Sequence, residues 1–192
     1  MRLDHVIYAA VDLDAAAARI ETELGLIAAS GGRHKGHGTH NRIVPLGGAY
    51  LELLGVADAN EAASSDFGRG PLERLASAGD GLLAWSVAVD DVASVARRLG
   101  TTVATIRRAG LSGQLTGVAE AMHEPFLPFF ISRDPGVPDP GAGGNAGGIT
   151  WIELSGDAAR LERWLDSAPL PVRVVDGPPA VRSIGIGERE FR

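Results

Sequence analysis

The stretch His5-Val-Ile-Tyr-Ala-Ala-Val11-Asp12 decides how this chain is read, because its pattern returns twice. It is an extended apolar run that ends on an acidic residue, and a helical pattern follows it, with Leu13, Ala17, Ile20 and Leu24 at i, i+4, i+7 and i+11. The pattern recurs at Ala84-Trp-Ser-Val-Ala-Val-Asp-Asp91, followed by Val92, Val95, Ala96 and Leu99. A fainter copy stands at Thr150-Trp-Ile-Glu-Leu-Ser-Gly-Asp157, followed by Leu161, Trp164 and Leu165. An aspartate at such a junction accepts from free N–H groups of the first helical turn, so Asp12, Asp91 and Asp157 read as N-caps rather than catalytic carboxylates.

Working outward, each helix is followed by strand-like segments. These are Leu26–Ala29, Asn41–Leu46 and Tyr50–Leu54 after the first, with a Gly47-Gly48 turn between the last two. Thr102–Arg107, Thr116–Ala121 and Leu127–Ser132 follow the second, and Val172–Val175 and Val181–Ile186 the third. The expected organisation is α+β and a single domain over 1–192. A βαβββ module at 1–56 is joined by a linker at 57–79, with a short helix near Pro71–Ala78, to a second at 80–133. A Pro/Gly loop at 134–148 precedes a shortened βαββ unit at 149–192.

Composition sets outer bounds. At 192 residues the chain is about one domain, large enough to bury a core without staples. It has no cysteine, which removes disulfides, thiolate nucleophiles and cysteine-ligated zinc and fits a cytoplasmic setting. A formal net charge of −6 argues against a nucleic-acid partner. No apolar run approaches the roughly 20 residues of a membrane helix, and the first residues do not read as a signal peptide. Lys35 is the only lysine, which limits Schiff-base chemistry to one polar, Gly-rich loop.

Two βαβββ modules in tandem resemble the vicinal oxygen chelate superfamily of glyoxalases, extradiol dioxygenases and bleomycin-resistance-type binding proteins. The wording is similar to its glyoxalase-like branch at Leu3-Asp-His-Val6, Val11-Asp-Leu-Asp14, Gly31–Asn41, Val44–Gly55, Gly81–Trp85, Val89–Val92 and Leu127–Ile131. The resemblance implies curved mixed sheets facing each other around a cavity, a small-molecule ligand and, often, a homodimer. Metal-dependent members take a His from the first strand of a module and a Glu from its last. His5 and Glu52 fill those places in the first module, so the resemblance implies one divalent ion on that pair. In the second module, counting back seven residues from Asp91, as His5 lies seven before Asp12, reaches Ala84, and the last strand reads Phe129-Phe130-Ile131. With Ala84 and Phe130 in the ligand slots, two donors fall short of the usual three or four, which favours no metal and a hydrogen-bonded His5.

The candidate site residues follow. His5, Glu52 and His34 are candidates for proton exchange, because His titrates near neutrality and a Glu between leucines needs a donor or cation once buried. His40, Asn41, Tyr50, Phe129 and Phe130 are candidates for ligand contact, with Phe126 as a further wall. In an extended segment His34 and His40 share a face about 20 Å apart, too far to chelate one ion unless the Gly-rich loop folds. Trp85 and Trp151 read as core beneath the helices. Arg107 and Arg108 are candidates for a substrate carboxylate, and His123 and Glu124 for a turn or an acid/base pair. The functional expectation is a glyoxalase-like small-molecule enzyme, with isomerase- or lyase-type oxyanion chemistry if it is catalytic. The alternative is a non-catalytic binding or sequestration protein of the bleomycin-resistance type.

Overall fold

The computed structural model describes residues 1–108 and 111–192, the side chains of Arg108 and Leu111 apart. The repeat read from sequence is the repeat observed. β1 (Arg2–Ala9) leads into α1 (Leu13–Leu24), and β5 (Gly81–Ala88) into α4 (Val92–Leu99). Asp12 accepts from the N–H groups of Asp14 and Ala15, Asp91 from Ser94, and Asp157 from Arg160, so all three aspartates cap helices. Gly25 and Gly100 end α1 and α4 in the left-handed conformation, at φ 67° and 72°.

β2 (Ala29–His34), β3 (Thr39–Pro45) and β4 (Tyr50–Val56) complete the first repeat. β6 (Val103–Arg108), β7 (Leu111–Thr116) and β8 (Phe129–Arg133) complete the second. They form one eight-stranded sheet in the order β2-β3-β4-β1-β5-β8-β7-β6, the two halves joined by antiparallel pairing of β1 with β5. The sheet curls into a half-barrel until its edge strands β2 and β6 approach each other.

Its convex side carries α1, α4 and a second sheet, β10-β9-β11-β12, made of β9 (Ile149–Ser155), β10 (Val172–Val175), β11 (Ala180–Ile186) and β12 (Arg189–Phe191). Leu51, Leu53, Trp85 and Phe130 pack there with Ile152, Leu154 and Ile184. Between β9 and β10 runs α6 (Ala158–Trp164). The third unit is therefore longer by β12 than the βαββ expected, and differently paired. Its post-helix strand β10 lies parallel beside β9, whereas β2 pairs antiparallel with β3.

The concave side is covered by helices that sequence patterning underestimated. The linker holds α2 (Ala59–Ala63) and α3 (Asp66–Ala78) rather than one short helix. Gly68, Gly70 and Pro71 of α3 are all buried, and a Cβ on Gly70 would stand 2.4 Å from Met122 Sδ. Gly70 lets α3 approach α5 (Val118–His123), and Gly68 lets it approach Ala62 of α2 and the His37 carbonyl. Thr116–Ala121, expected as a strand, divides at Gly117 (φ 76°), where β7 ends and α5 begins. Val118, Ala121 and Met122 at i, i+3 and i+4 are helical spacing, too short a run to outweigh the strand reading. The loop at 134–148 has no regular structure but is tied to the β3–β4 turn, since Gly47 and Gly48 donate to the Gly141 carbonyl and Gly148 to that of Leu46.

One ion pair crosses the seam between the repeats. The β1–β5 register jumps from Leu3–Val87 to His5–Ser86, which leaves Asp4 as the extra residue of a bulge. Its carboxylate accepts from both Nη atoms of Arg133 on β8, at 2.6 and 2.7 Å. Burial alone would raise the Asp4 pKa; the hydrogen bonds from Arg133 and His5 outweigh it and hold the carboxyl well below the usual carboxylate range. Arg133, opposed by burial but bonded to Asp4, is shifted upward.

Because the Asp4 pKa is depressed on folding, its stabilisation is fully present above the unfolded value of about 3.9 and is lost as pH falls below that. Urea unfolding of Arg133→Met should show a loss of about 3–5 kcal/mol at neutral pH, since it strands a buried carboxylate. The apolar double substitution Asp4→Leu with Arg133→Met should recover most of it. The gap between wild type and Arg133→Met should narrow when the titration is repeated near pH 3.

Candidate functional site

Strand pairing decides which sequence candidates meet. His5 and Ile7 on β1 pair with Tyr50 and Glu52 on β4, and Glu52 pairs with Ile43 on β3, so His5, Tyr50, Glu52 and Asn41 share the concave face. His34 joins them because the β2–β3 hairpin turns at Lys35–Gly38 and pairs His34 with Thr39. His5, Glu52 and His34 are all buried, at 3%, 4% and 5% exposure.

Glu52 lies between the two imidazoles. His5 Nε2 is 3.5 Å from Glu52 Oε2, and His34 Nε2 is 3.8 Å from Oε1. Each ring is held at its other nitrogen, His5 Nδ1 by Asp4 Oδ2 at 2.7 Å and His34 Nδ1 by Thr39 Oγ1 at 2.8 Å. Tyr50 stacks on His5 with ring centroids 4.5 Å apart, and Phe129 meets the same ring edge-on at 5.3 Å. Asn41 donates its amide to Glu52 Oε1 and accepts at 2.9 Å from the Gly32 N–H. That bridge needs the β2 backbone close by, and Gly31 permits it: a Cβ there would stand 2.1 Å from Asn41 Oδ1.

Other candidates lie elsewhere. His40 pairs with Arg33 and projects from the opposite face, lining an outer groove with Asp12 and Arg42; the hairpin, not an extended segment, separates it from His34. Phe130 and Phe126 belong to the convex core, because strand alternation turns Phe130 away from Phe129. Trp85 is fully buried as expected, but Trp151 is only half-buried, with the Arg173 guanidinium 4.4 Å over its ring. Glu124 is engaged by Arg160 at 2.5 Å, and His123 lines a separate groove with Asp66 and Arg69. Arg107 is exposed, and the Arg108 side chain lies outside the described residues.

The register also tests the metal expectation. Ile7 pairs with both Glu52 and Ala84, and Ser86 with both His5 and Phe129, so the second-repeat counterparts of His5 and Glu52 are Ala84 and Phe129 rather than Phe130. Four positions thus offer two donors, and among the described residues no group of three or more His, Cys, Asp or Glu side chains could hold a metal ion. With two donors in those four positions, the pair His5 and Glu52 alone falls short of the three or four that usually hold a divalent cation.

A cavity of about 230 Å³ opens beside the cluster, at the seam where β2–β3 faces β6–β7. Phe67, Ile106, Leu115 and Val118 form its apolar walls, and His34 and His37 line it with Ser65 and Glu120. His37 Nδ1 and Ser65 Oγ are 2.5 Å apart, with Ser65 also capping α3 at the Gly68 N–H. Sequence reading missed Asp4, Arg133, Thr39 and this pair, since none has a chemical meaning until strands from separate segments adjoin. His5 and Glu52 do not line this cavity; Ile7, Leu54, Leu115 and Phe129 pack with Phe67 and Val118 of α3 and α5 over that face.

The Asn41 bridge generates a stability expectation. Gly31→Ala should lower stability by about 1–3 kcal/mol in thermal or urea unfolding, because the new Cβ collides with the Asn41 amide and its backbone carbonyl and displaces the donor to a buried carboxylate. Ala at exposed Gly143, where a Cβ would meet nothing within 4 Å and φ is not positive, serves as the control for added side-chain bulk.

A comparison of the sequence with curated proteins finds no match. Among solved structures, a hypothetical protein from Staphylococcus aureus aligns over 98% of this chain and 96% of its own, at 15% identity and TM-score 0.70. Methylmalonyl-CoA epimerase from Mycobacterium tuberculosis aligns over 70% of this chain and 87% of its own, at 19% identity and TM-score 0.52. A Streptomyces coelicolor methylmalonyl-CoA epimerase variant in complex with 2-nitronate-propionyl-CoA aligns over 69% and 96%, at 20% identity and TM-score 0.55. At these identities the likeness is one of fold. The model of the family described as "Glyoxalase-like domain" matches residues 3–168, and the chain belongs to that family.

Proposed function

We propose that this protein is a small-molecule enzyme of the isomerase or lyase type that moves a proton next to a carbonyl without a divalent metal. The observation that carries the reading is Glu52, buried between two histidines at 3.5 and 3.8 Å, with one of them, His34, in the wall of a cavity. Burying three ionisable groups together is costly, and such clusters concentrate at functional sites. An apolar core of Leu and Ile would fill the space at less cost.

In this scheme His34 meets the substrate and Glu52 serves as its proton partner. A C–H proton beside a carbonyl leaves to the His34–Glu52 pair, and the electron pair moves onto the carbonyl oxygen as an enolate. A hydrogen bond from the protonated imidazole stabilises that oxyanion, and return of the proton, at the same or a neighbouring carbon, completes an isomerisation. The epimerase neighbours support the same class of chemistry by fold alone. At about 230 Å³ the cavity is smaller than the roughly 300–1,000 Å³ of drug-sized sites, which favours a compact substrate.

The mainly apolar wall also suits a second reading, ligand binding without chemistry. Solvent-deuterium exchange, followed by NMR over a panel of small ketones and 2-oxo acids, separates the two. Enzyme-dependent exchange should fall at least about 100-fold in Glu52→Gln and His34→Gln and should survive chelator treatment. Tight binding of panel members with no exchange in the wild type would establish the binding reading instead. Exchange abolished by chelator and restored by a metal ion would overturn the metal-free mechanism.

A further inference from the structure

We propose that Asp4 is a positioning residue, held in place by Arg133 of the second repeat, that fixes the tautomer of His5 so that its Nε2 faces Glu52. This role deepens the proton-transfer reading and rests on it for its purpose, though its geometry stands independently.

The argument begins with the bulge. Adjacent residues of a regular strand point to opposite faces, so Asp4 and His5 could not touch in an unbroken β1. The extra residue at Asp4 places its carboxylate 2.7 Å from His5 Nδ1 while His5 stays in register opposite Tyr50. An ionised carboxylate is an acceptor only, so Nδ1 must carry the proton; Nε2 then meets Glu52 either as a bare acceptor opposite a protonated Glu52 or as the second N–H of an imidazolium opposite its carboxylate. Asp4 is 1% exposed and could not remain charged alone. Arg133 supplies the fork, with Nη2 also 3.4 Å from the Tyr50 hydroxyl and its guanidinium carbon 5.9 Å from the Tyr50 ring centroid. The groups around His5 are thus Asp4 on its own strand, Tyr50 and Glu52 on β4, and Phe129 on β8, with Arg133 behind Asp4.

The two repeats are unequal in a way this assigns. The second contributes Ala84 and Phe129 at the positions matching His5 and Glu52, so it has no donor there. Arg133, which shares a face with Phe129 four residues further along β8, is its contribution to the cluster, acting through Asp4. His5 acquires a defined tautomer only once the repeats have joined, because Asp4 and Arg133 belong to different halves of the sheet.

The test uses full-length protein labelled with 15N-histidine, read by two-bond proton–nitrogen correlation at about pH 8.5, where a free imidazole is neutral. His5 should show a protonated Nδ1; an unprotonated Nδ1 in the wild type overturns the proposal without any variant. In the double substitution Asp4→Leu with Arg133→Met, chosen because apolar replacement of a buried pair preserves folding, the signal should pass to the Nε2-protonated form. Persistence of the Nδ1 proton would show that Asp4 does not set it. Deuterium exchange on substrate should fall about 10- to 100-fold in the same variant. A switched tautomer with an unchanged exchange rate would remove the positioning role. A wild type that catalyses no exchange, yet shows the tautomer and its switch, would count against the proton-transfer reading and leave the assignment of Asp4 intact.

Discussion

The antiparallel pairing of β1 with β5 is the contact on which the rest of this protein depends. It fuses two four-stranded halves into one curled sheet and sets which residues from distant parts of the chain stand opposite one another. Ladder hydrogen bonds fix register to the residue, and a slip of one would send every side chain to the other face. Through that register His5 lies beside Ser86, Ile7 beside Ala84, and the bulge at Asp4 falls within reach of Arg133.

The concave face created by this pairing combines two environments that seldom sit together. One part is apolar and packed: Ile7, Leu54, Ala84, Leu115, Phe129 and Ile131 meet Phe67, Leu75 and Met122 from α3 and α5. The other is a line of polar side chains, from Arg133 through Asp4, His5 and Glu52 to His34. Asn41 and Thr39 satisfy the flanking atoms. Low dielectric strengthens each contact along that line and makes a single missing partner expensive. The apolar packing keeps water from Glu52, and the seam between β2 and β6 gives access at the His34 end.

Much of the fold was legible from local patterns. The strand-to-aspartate-to-helix repeat predicted the element order, because an N-cap acts within three residues and helix periodicity within two turns. That Glu52 and Tyr50 take one face and Leu53 the other is strand alternation, also a local property. Errors arose where local signals conflicted. The linker at 57–79 holds two helices because tertiary packing uses the small size of Gly68 and Gly70, and the Gly-rich run around His34 and His40 reads as a loop although it is a hairpin. Phe130 and Phe126 stood as candidates for ligand contact because aromatic residues on or beside a strand carry no mark of which face they take.

What the sequence determined by itself was the repeat, its caps, the two first-repeat candidates His5 and Glu52, and the family resemblance. Each rests on short local runs, read a few positions at a time and compared along the chain. Only the tertiary structure decided that Asp4 pairs with Arg133, that His34 joins Glu52 while His40 does not, and that Phe129 stands in the place of a second carboxylate. Those relations span up to 129 residues of chain. The physical reason is that strand register and a single bulge, settled by long-range pairing and burial, choose the face and neighbours of each side chain, and no local pattern encodes that choice.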